Sequence, residues 1–166
     1  MITDFKANGA QQPLRYPVID MTVSATGVDK IKTREGLVLS EYVHGDNTRT
    51  IGYGHTRGVR EGETITQQQA LQLLYDDLNL VHLTMCHTIT VPLAQCEYDA
   101  LASFIYNIGE EGFRRSTVLV WLNKGFYRDA AMHMSSWHMV GKVVNKGLWN
   151  RRKDEIRQFL DNPTAI

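Results

Sequence analysis

One block of strand-like sequence, residues 37–56, stands inside a chain whose other patterned segments are helical. Apolar and β-branched residues at 37–43 and 48–55 flank the turn-forming residues 44–47. This arrangement predicts a small antiparallel hairpin. The order of the segments indicates a small mixed lobe and a larger helical lobe. The predicted fold class is therefore α+β, mostly helical and two-lobed.

Helix start and stop signals divide the rest of the chain. Thr26 and Asp29 resemble a capping box, so a first helix is expected to begin there and to end at Gly36. Thr66 and Gln69 resemble a second capping box, after which the pattern is helical to the end of the chain. The long helix that starts at this point is expected to bridge the two lobes. Further helices are predicted at 96–108, 116–124, 126–137 and 148–160.

The length of the chain, 166 residues, fits one domain with a substantial core. Residues 1–22 show no useful periodicity, so they are interpreted as an N-terminal extension, and residues 23–166 as the folded domain. Cys86 and Cys96 have no metal or redox spacing. We expect two reduced core thiols, with a bond between them after export as the alternative.

The charge balance and the first residues of the chain limit the expected partners and location of the protein. There are 18 Lys and Arg against 18 Asp and Glu, so the overall field that favours nucleic-acid binding is absent. Residues 111–166 hold ten basic and five acidic side chains. This basic region either meets an anionic polymer such as cell wall or is a solvated helix surface. No signal peptide or membrane span is visible, so we expect synthesis in the cytoplasm and no stable membrane insertion.

Glu35 is the first candidate for chemistry. It falls in the last turn of the first predicted helix, one residue before Gly36. The helix dipole is negative at that end, and an ionised carboxylate is disfavoured there by about 0.3–1 kcal/mol at exposed sites. A carboxyl group that keeps its proton suits a general acid. The alternative is a surface glutamate or a member of an ion pair.

The motif that contains Glu35 is the first of several that occur in one order along the chain. Glu35-Gly36-Leu37 is followed by Thr-Ile-Gly-Tyr-Gly-His at 50–55, by the segments 98–101 and 104–109, and by Gly147-Leu148 with Arg151-Arg152 and Glu155. These motifs resemble the phage-type lysozymes, glycoside hydrolase family 24, over roughly residues 24–160. The resemblance implies a lysozyme-like fold with a substrate cleft between the hairpin and the helical lobe.

The resemblance also implies catalytic roles. Glu35 corresponds to the family's proton donor, and Thr50, fifteen residues later, to the threonine that helps hold the attacking water. The family has an Asp nine residues after the Glu, whereas this chain has His44. Three alternatives follow. Asp46 supplies the missing carboxylate through a fold-back of the turn, neutral His44 acts as the base, or the site is impaired and the domain binds glycan without cutting it well.

Four further residues are candidate substrate-binding residues. The candidates include Tyr53, Tyr106 and Asn107, because sugar faces stack on aromatic rings and amides bond to N-acetyl groups. Core packing is the alternative for Tyr106. His55 ends the hairpin motif, and bracing of the strand is its favoured role. The histidines and cysteines give no metal-binding spacing, so no metal site is expected. Core packing is expected for Trp121, Trp137 and Trp149.

The function implied by the resemblance is that of a muramidase, which hydrolyses the β-1,4 bond between N-acetylmuramic acid and N-acetylglucosamine. No cofactor is expected, because two side chains and a water carry the reaction. The expected partner is bacterial peptidoglycan. The protein is expected to be a monomer that acts in the periplasm after release or delivery from the cytoplasm. The alternative is a catalytically impaired peptidoglycan-binding or structural module.

Overall fold

The computed structural model describes residues 13–43 and 47–161. This part of the chain is mostly helical with a small antiparallel hairpin, which confirms the predicted α+β class. The elements are α1 (Ala25–Glu35), β1 (Val38–Val43), β2 (Arg49–Gly52), α2 (Gln67–Thr88), α3 (Gln95–Ile108), α4 (Glu110–Arg114), α5 (Thr117–Asn123), α6 (Tyr127–His133), β3 (Met139–Val140), β4 (Val143–Val144) and α7 (Lys146–Phe159).

The ends of α1 and α2 follow local signals with one exception. The predicted stop of α1 is confirmed, because Gly36 follows Glu35 with a φ of 71°. The capping box at Thr66 is also confirmed as the start of α2. The predicted capping box at Thr26 is wrong: the hydroxyl of Ser24 accepts the bond from the Gly27 amide. Ser24 is held in place by Asp99 of α3, a contact that local sequence does not reveal.

The second hairpin was not predicted, since the sequence from Thr66 onward was expected to be helical throughout. Instead α6 ends at His133, and β3 and β4 pair antiparallel around Gly141, which has a φ of 59°. Two strands of two residues each are too short to show a period of alternation. The local reason for the turn is Gly141, whose positive φ lies between two short strands that both contain valine.

The main core surrounds α3, whose residues Glu97 to Ile105 are all buried. α3 contacts α1, α2 and α7. A smaller core, formed by Val28, Ile31, Leu74 and Leu78, lies between α1 and α2. α2 contacts both β2 and α3, which confirms that it connects the hairpin to the helical lobe. This packing brings the end of α1, the hairpin and α3 to one place.

The described part of the N-terminal segment packs on the helical lobe. Tyr16 exchanges backbone hydrogen bonds of 2.8 Å with Leu93, and Val18 and Met21 are buried in the main core. Arg15 forms an ion pair of 2.6 Å with Glu97. This segment therefore contributes two side chains to the core, and the boundary placed after residue 22 stays a prediction.

Three smaller expectations are also addressed by the structure. Cys86 and Cys96 are free, partly buried thiols. Trp121 and Trp137 pack against the main core, but core packing is wrong for Trp149, which is 38% exposed at the start of α7. Among the described residues, none of the helices combines the length and the apolar character that a membrane crossing requires.

Candidate active site

Glu35 is the last residue of α1, and its side chain is 16% exposed. The positive φ of Gly36 turns the chain directly from the helix into the hairpin. The carboxyl group therefore stands where the helical part of the chain meets the β-lobe. It is neither fully buried nor surrounded by solvent.

Arg151 of α7 is the charged partner of Glu35. Its guanidinium nitrogen lies 2.7 Å from Glu35 Oε1, and the arginine side chain is 10% exposed. The negative end of α1 is thus not the only charge near the carboxylate, because the arginine places a positive charge beside it. Attraction at this distance opposes the effect of the helix end. Glu35 therefore forms the ion pair that was expected as an alternative to an acid, and this pair lies within the site.

A buried network holds Arg151 in turn. Glu155 is completely buried and accepts hydrogen bonds from the Ser103 hydroxyl at 2.7 Å and from Arg151 Nε at 3.0 Å. Arg152 Nε lies 2.9 Å from its second oxygen. Arg34 donates to the Ser103 hydroxyl at 2.9 Å. α1, α3 and α7 are thus joined through side chains that sequence analysis did not assign to the site.

Burial acts on the cations of this network. Desolvation lowers the pKa of the Arg152 guanidinium to about 10, and it also lowers the pKa of Arg34. Removing a charge from water disfavours its charged form, so these arginines depend on neighbouring carboxylates. In the sequence, Arg151, Arg152 and Glu155 stood out only as part of the motifs shared with the phage-type lysozymes, and that resemblance assigned them no role.

Asn107 is oriented by the same network. Its Oδ1 accepts a hydrogen bond of 2.8 Å from Arg152, which leaves the amide nitrogen as the group able to donate elsewhere. Asn107 lines a cavity of about 650 Å³ together with Trp137, Ser116 and Thr117. The residue predicted to bind substrate thus lies at a concave surface with its amide fixed by an arginine.

Tyr106 of α3 meets the hairpin motif at Gly54, beside Glu35. The Tyr106 hydroxyl donates to the Tyr53 carbonyl at 2.7 Å, and burial raises the pKa of the phenol, so it remains a donor. Gly54 has a φ of 92°, and a Cβ atom there would lie 3.5 Å from Glu35 Oε2 and 3.8 Å from Tyr106 Cε1. The hairpin backbone therefore approaches the carboxyl group closely. Gly54 and Tyr106 also line a cavity of about 220 Å³.

His55 is engaged on both ring nitrogens. Nδ1 lies 2.8 Å from Asp77 Oδ2 on α2, and Nε2 lies 2.8 Å from the Arg57 carbonyl. Its backbone also exchanges two hydrogen bonds of 2.9 Å with Ile51. The ring thus links the end of the hairpin motif to α2. A direct contact with substrate stays a prediction.

Thr50 lies on β2 and is 2% exposed. Its hydroxyl oxygen has no hydrogen-bond partner among the described residues. His44 and Asp46, the two candidates for the opposite side of the site, lie outside the described residues. The choice between them therefore stays a prediction. Within residues 13–43 and 47–161, no cluster of histidine, cysteine and carboxylate side chains could hold a metal ion.

Comparison with known proteins covers most of the chain. The phage lysozyme family model matches residues 32–155. An endolysin of Acyrthosiphon pisum secondary endosymbiont phage 1 is 39% identical over 144 residues, which cover 84% of this chain and 98% of that protein. An endolysin of Salmonella phage P22 is 38% identical over 139 residues, or 81% of this chain and 95% of the relative.

A solved structure agrees with these relatives. The muramidase domain of SpmX from Asticaccaulis excentricus superposes with a TM-score of 0.79 and 37% identity. The alignment covers 84% of this chain and 97% of that domain. The similarity therefore extends over both the hairpin and the helical lobe.

Proposed function

The chain belongs to the phage lysozyme family, and on this premise we propose that Glu35 is the general acid of its reaction. The protein is a muramidase, a glycoside hydrolase whose substrate is bacterial peptidoglycan. The observation that carries the proposal for Glu35 is its position. The carboxyl group ends α1, contacts Arg151 through one oxygen and faces the backbone of Gly54 with the other.

The two oxygens of Glu35 have different surroundings. Oε1 is held by Arg151, and Arg151 also donates to Glu155, so the guanidinium is shared between two carboxylates. Oε2 points to the hairpin side, 3.5 Å from the place that a side chain at Gly54 would occupy. A proton carried on Oε2 is directed toward a saccharide lying between the hairpin and α3. Fixed orientation of this kind favours transfer to the leaving oxygen.

The opposite side of the reaction needs a group that orients water. Thr50 is proposed to hold this water together with either Asp46 or neutral His44. The buried Thr50 hydroxyl without a partner among the described residues supports this role, because such groups are costly unless bonded. In the third alternative the site is impaired, and the protein binds peptidoglycan without efficient cleavage.

Substrate contacts are proposed for Tyr53, Tyr106 and Asn107, with His55 fixing the end of the hairpin. The Asn107 amide nitrogen suits the carbonyl of an N-acetyl group, since Arg152 already occupies the amide oxygen. Acid, base and water suffice for hydrolysis, so no cofactor is included.

The cellular setting is part of the same proposal. The relatives are endolysins, and the cell wall is the site of action. We place synthesis in the host cytoplasm and hydrolysis in the periplasm after release or delivery. The protein is proposed to act as a monomer, without nucleic acid and without stable insertion into a membrane.

A test of the acid compares Glu35→Gln with Glu111→Gln. Glu111 forms an exposed ion pair with Arg115, so its variant controls for loss of a carboxylate. Turbidity of permeabilised Gram-negative cells and release of reducing sugar measure activity. Glu35→Gln should lose about 10²–10⁴-fold, the usual contribution of general acid catalysis, while its melting temperature shows that the fold is retained. Full lysis by a folded Glu35→Gln variant would refute the assignment.

The water-binding side is tested by Asp46→Asn, His44→Ala and Thr50→Val. We expect Thr50→Val to lower lysis at least tenfold with no loss of stability, because it removes a buried hydroxyl and keeps the shape. The residue that replaces the usual Asp is the one whose variant is inactive. If Asp46→Asn and His44→Ala both remain fully active, both substitution accounts fail. Binding of unaltered protein to sacculi without release of reducing sugar would favour the impaired module.

A further inference from the structure

The second hairpin carries an apolar surface that the core does not use. We call the hairpin patch the surface that carries Val140 and Val143 of the second hairpin, together with Lys142, Lys146, Trp149 and Lys153. Val140 and Val143 are 60% and 71% exposed, and Met139, Val144 and Trp149 are also exposed. Scattered apolar side chains are ordinary on protein surfaces, but Val140 and Val143 are exposed and directly paired, and adjacent exposed apolar side chains mark an interaction site.

The register of the hairpin separates two faces. Val140 pairs with Val143, and Met139 pairs with Val144. Directly paired residues share a face of an antiparallel ribbon, so the two pairs lie on opposite faces. Met139 lines the cavity that also contains Asn107. Val140 and Val143 therefore face away from that cavity and are free for another contact.

The charge around this face has one sign. No Asp or Glu occurs from residue 130 to residue 153. Lys142 lies beside the turn at Gly141, and Lys146 and Lys153 lie on α7. None of the three lysines forms an ion pair with another described residue, and Lys153 lies 5.9 Å from the centre of the exposed Trp149 ring. The patch thus combines aliphatic side chains, an interfacial tryptophan and uncompensated cations.

We propose that the hairpin patch binds reversibly to the surface of an anionic phospholipid bilayer. Exposed valines offer no hydrogen bonds to a sugar or a peptide, but they gain free energy when buried among acyl chains. Lysines beside them are attracted to anionic headgroups, and tryptophan favours the boundary between headgroups and chains. A second copy of the chain would bring the same cations together, which disfavours a dimer through this face.

The experiment measures partition of the full-length protein into vesicles by co-sedimentation at about 0.1 M salt. Vesicles of phosphatidylglycerol and phosphatidylethanolamine are compared with phosphatidylcholine alone. Binding should occur only to the anionic vesicles, shift the emission of the exposed Trp149 to shorter wavelength, and weaken at high salt. The double variant Lys142→Gln with Lys146→Gln should lower the partition coefficient about 25-fold, because each lysine near the surface contributes about fivefold.

Two conservative variants test the apolar contribution. Val140→Thr with Val143→Thr keeps the β-branched shape and should lower partition about tenfold. Ile19→Thr is the matched control, because Ile19 is a β-branched residue that is 68% exposed on the N-terminal segment. Lys30→Gln is the corresponding control for the lysines. Melting temperatures show which variants are folded. If the valine double variant does not fold, the lysine double variant alone tests the binding proposal.

The proposal is overturned by equal binding to both vesicle types, by no binding to anionic vesicles, or by an effect of Ile19→Thr equal to that of the valine pair. It is also overturned if the hairpin variants lose retention on purified sacculi but not on vesicles, which would identify cell wall as the partner. A concentration-dependent dimer abolished by the valine pair would identify a second copy. The vesicle measurements do not bear on Glu35, because vesicles contain no peptidoglycan.

Discussion

Replacing Glu155 by glutamine removes one charge from the buried network behind Glu35 and leaves the size of the side chain almost unchanged. Glu155 accepts from Ser103 at 2.7 Å and from Arg151 at 3.0 Å, and it lies 2.9 Å from Arg152. Glutamine offers one acceptor oxygen instead of two, and its NH₂ group would face guanidinium donors. Arg152 would then be a completely buried cation that has lost its salt-bridge carboxylate among the described residues.

The magnitude follows from this geometry. Breaking a buried ion pair by removing one partner costs about 3–5 kcal/mol. A chain of 166 residues loses about 2–4 °C in melting temperature for each kcal/mol, so Glu155→Gln should melt roughly 6–20 °C lower. Activity should also fall, because Arg151 would no longer be held against Glu35, and small displacements of a catalytic group cost up to about 100-fold.

Thermal and urea unfolding followed by far-UV circular dichroism measure the effect. The control is Glu111→Gln, which removes a carboxylate from a pair whose side chains are 79% and 66% exposed. Exposed pairs contribute about 0–1 kcal/mol, so the control should stay close to the unaltered protein. A loss below about 1 kcal/mol in Glu155→Gln, or a loss equal to that of the control, would show that the network does not stabilise the site as argued.

Two further predictions concern Gly54 and Tyr98. Gly54→Ala should lose lysis activity beyond its loss of stability, whereas Gly58→Ala, also at positive φ but with nothing within 4 Å, should lose only stability. Lysis assays at matched folded fraction decide this, and equal activity of both variants would contradict the close approach to Glu35. Burial raises the pKa of Tyr98, so its contribution to stability is present below about pH 10 and is lost above it. The free energy of unfolding, measured by urea denaturation between pH 10 and 11.5, should therefore fall with pH in the unaltered protein. In Tyr98→Phe this fall should be smaller by up to about 1.4 kcal/mol per pH unit. Equal pH dependence of the unfolding free energy in the two proteins would contradict this role of Tyr98.

Local signals were sufficient for most element boundaries. Gly36 and the capping box at Thr66 act through bonds within a few residues, so each end could be predicted from its own neighbourhood. The start of α1 was misplaced because Ser24 is selected by Asp99, a residue of α3. The second hairpin was missed because its strands are shorter than the window in which periodicity is detectable.

The sequence by itself determined the α+β class, the position of Glu35 at a helix end, and a hairpin motif that enters the site. Only the tertiary structure decided what surrounds the acid: Arg151 at one oxygen, Gly54 near the other, and Glu155 behind the arginine. The reason is physical. Capping and turn preferences are set by neighbouring residues, whereas the partner of a charge depends on which distant helices pack together and exclude water.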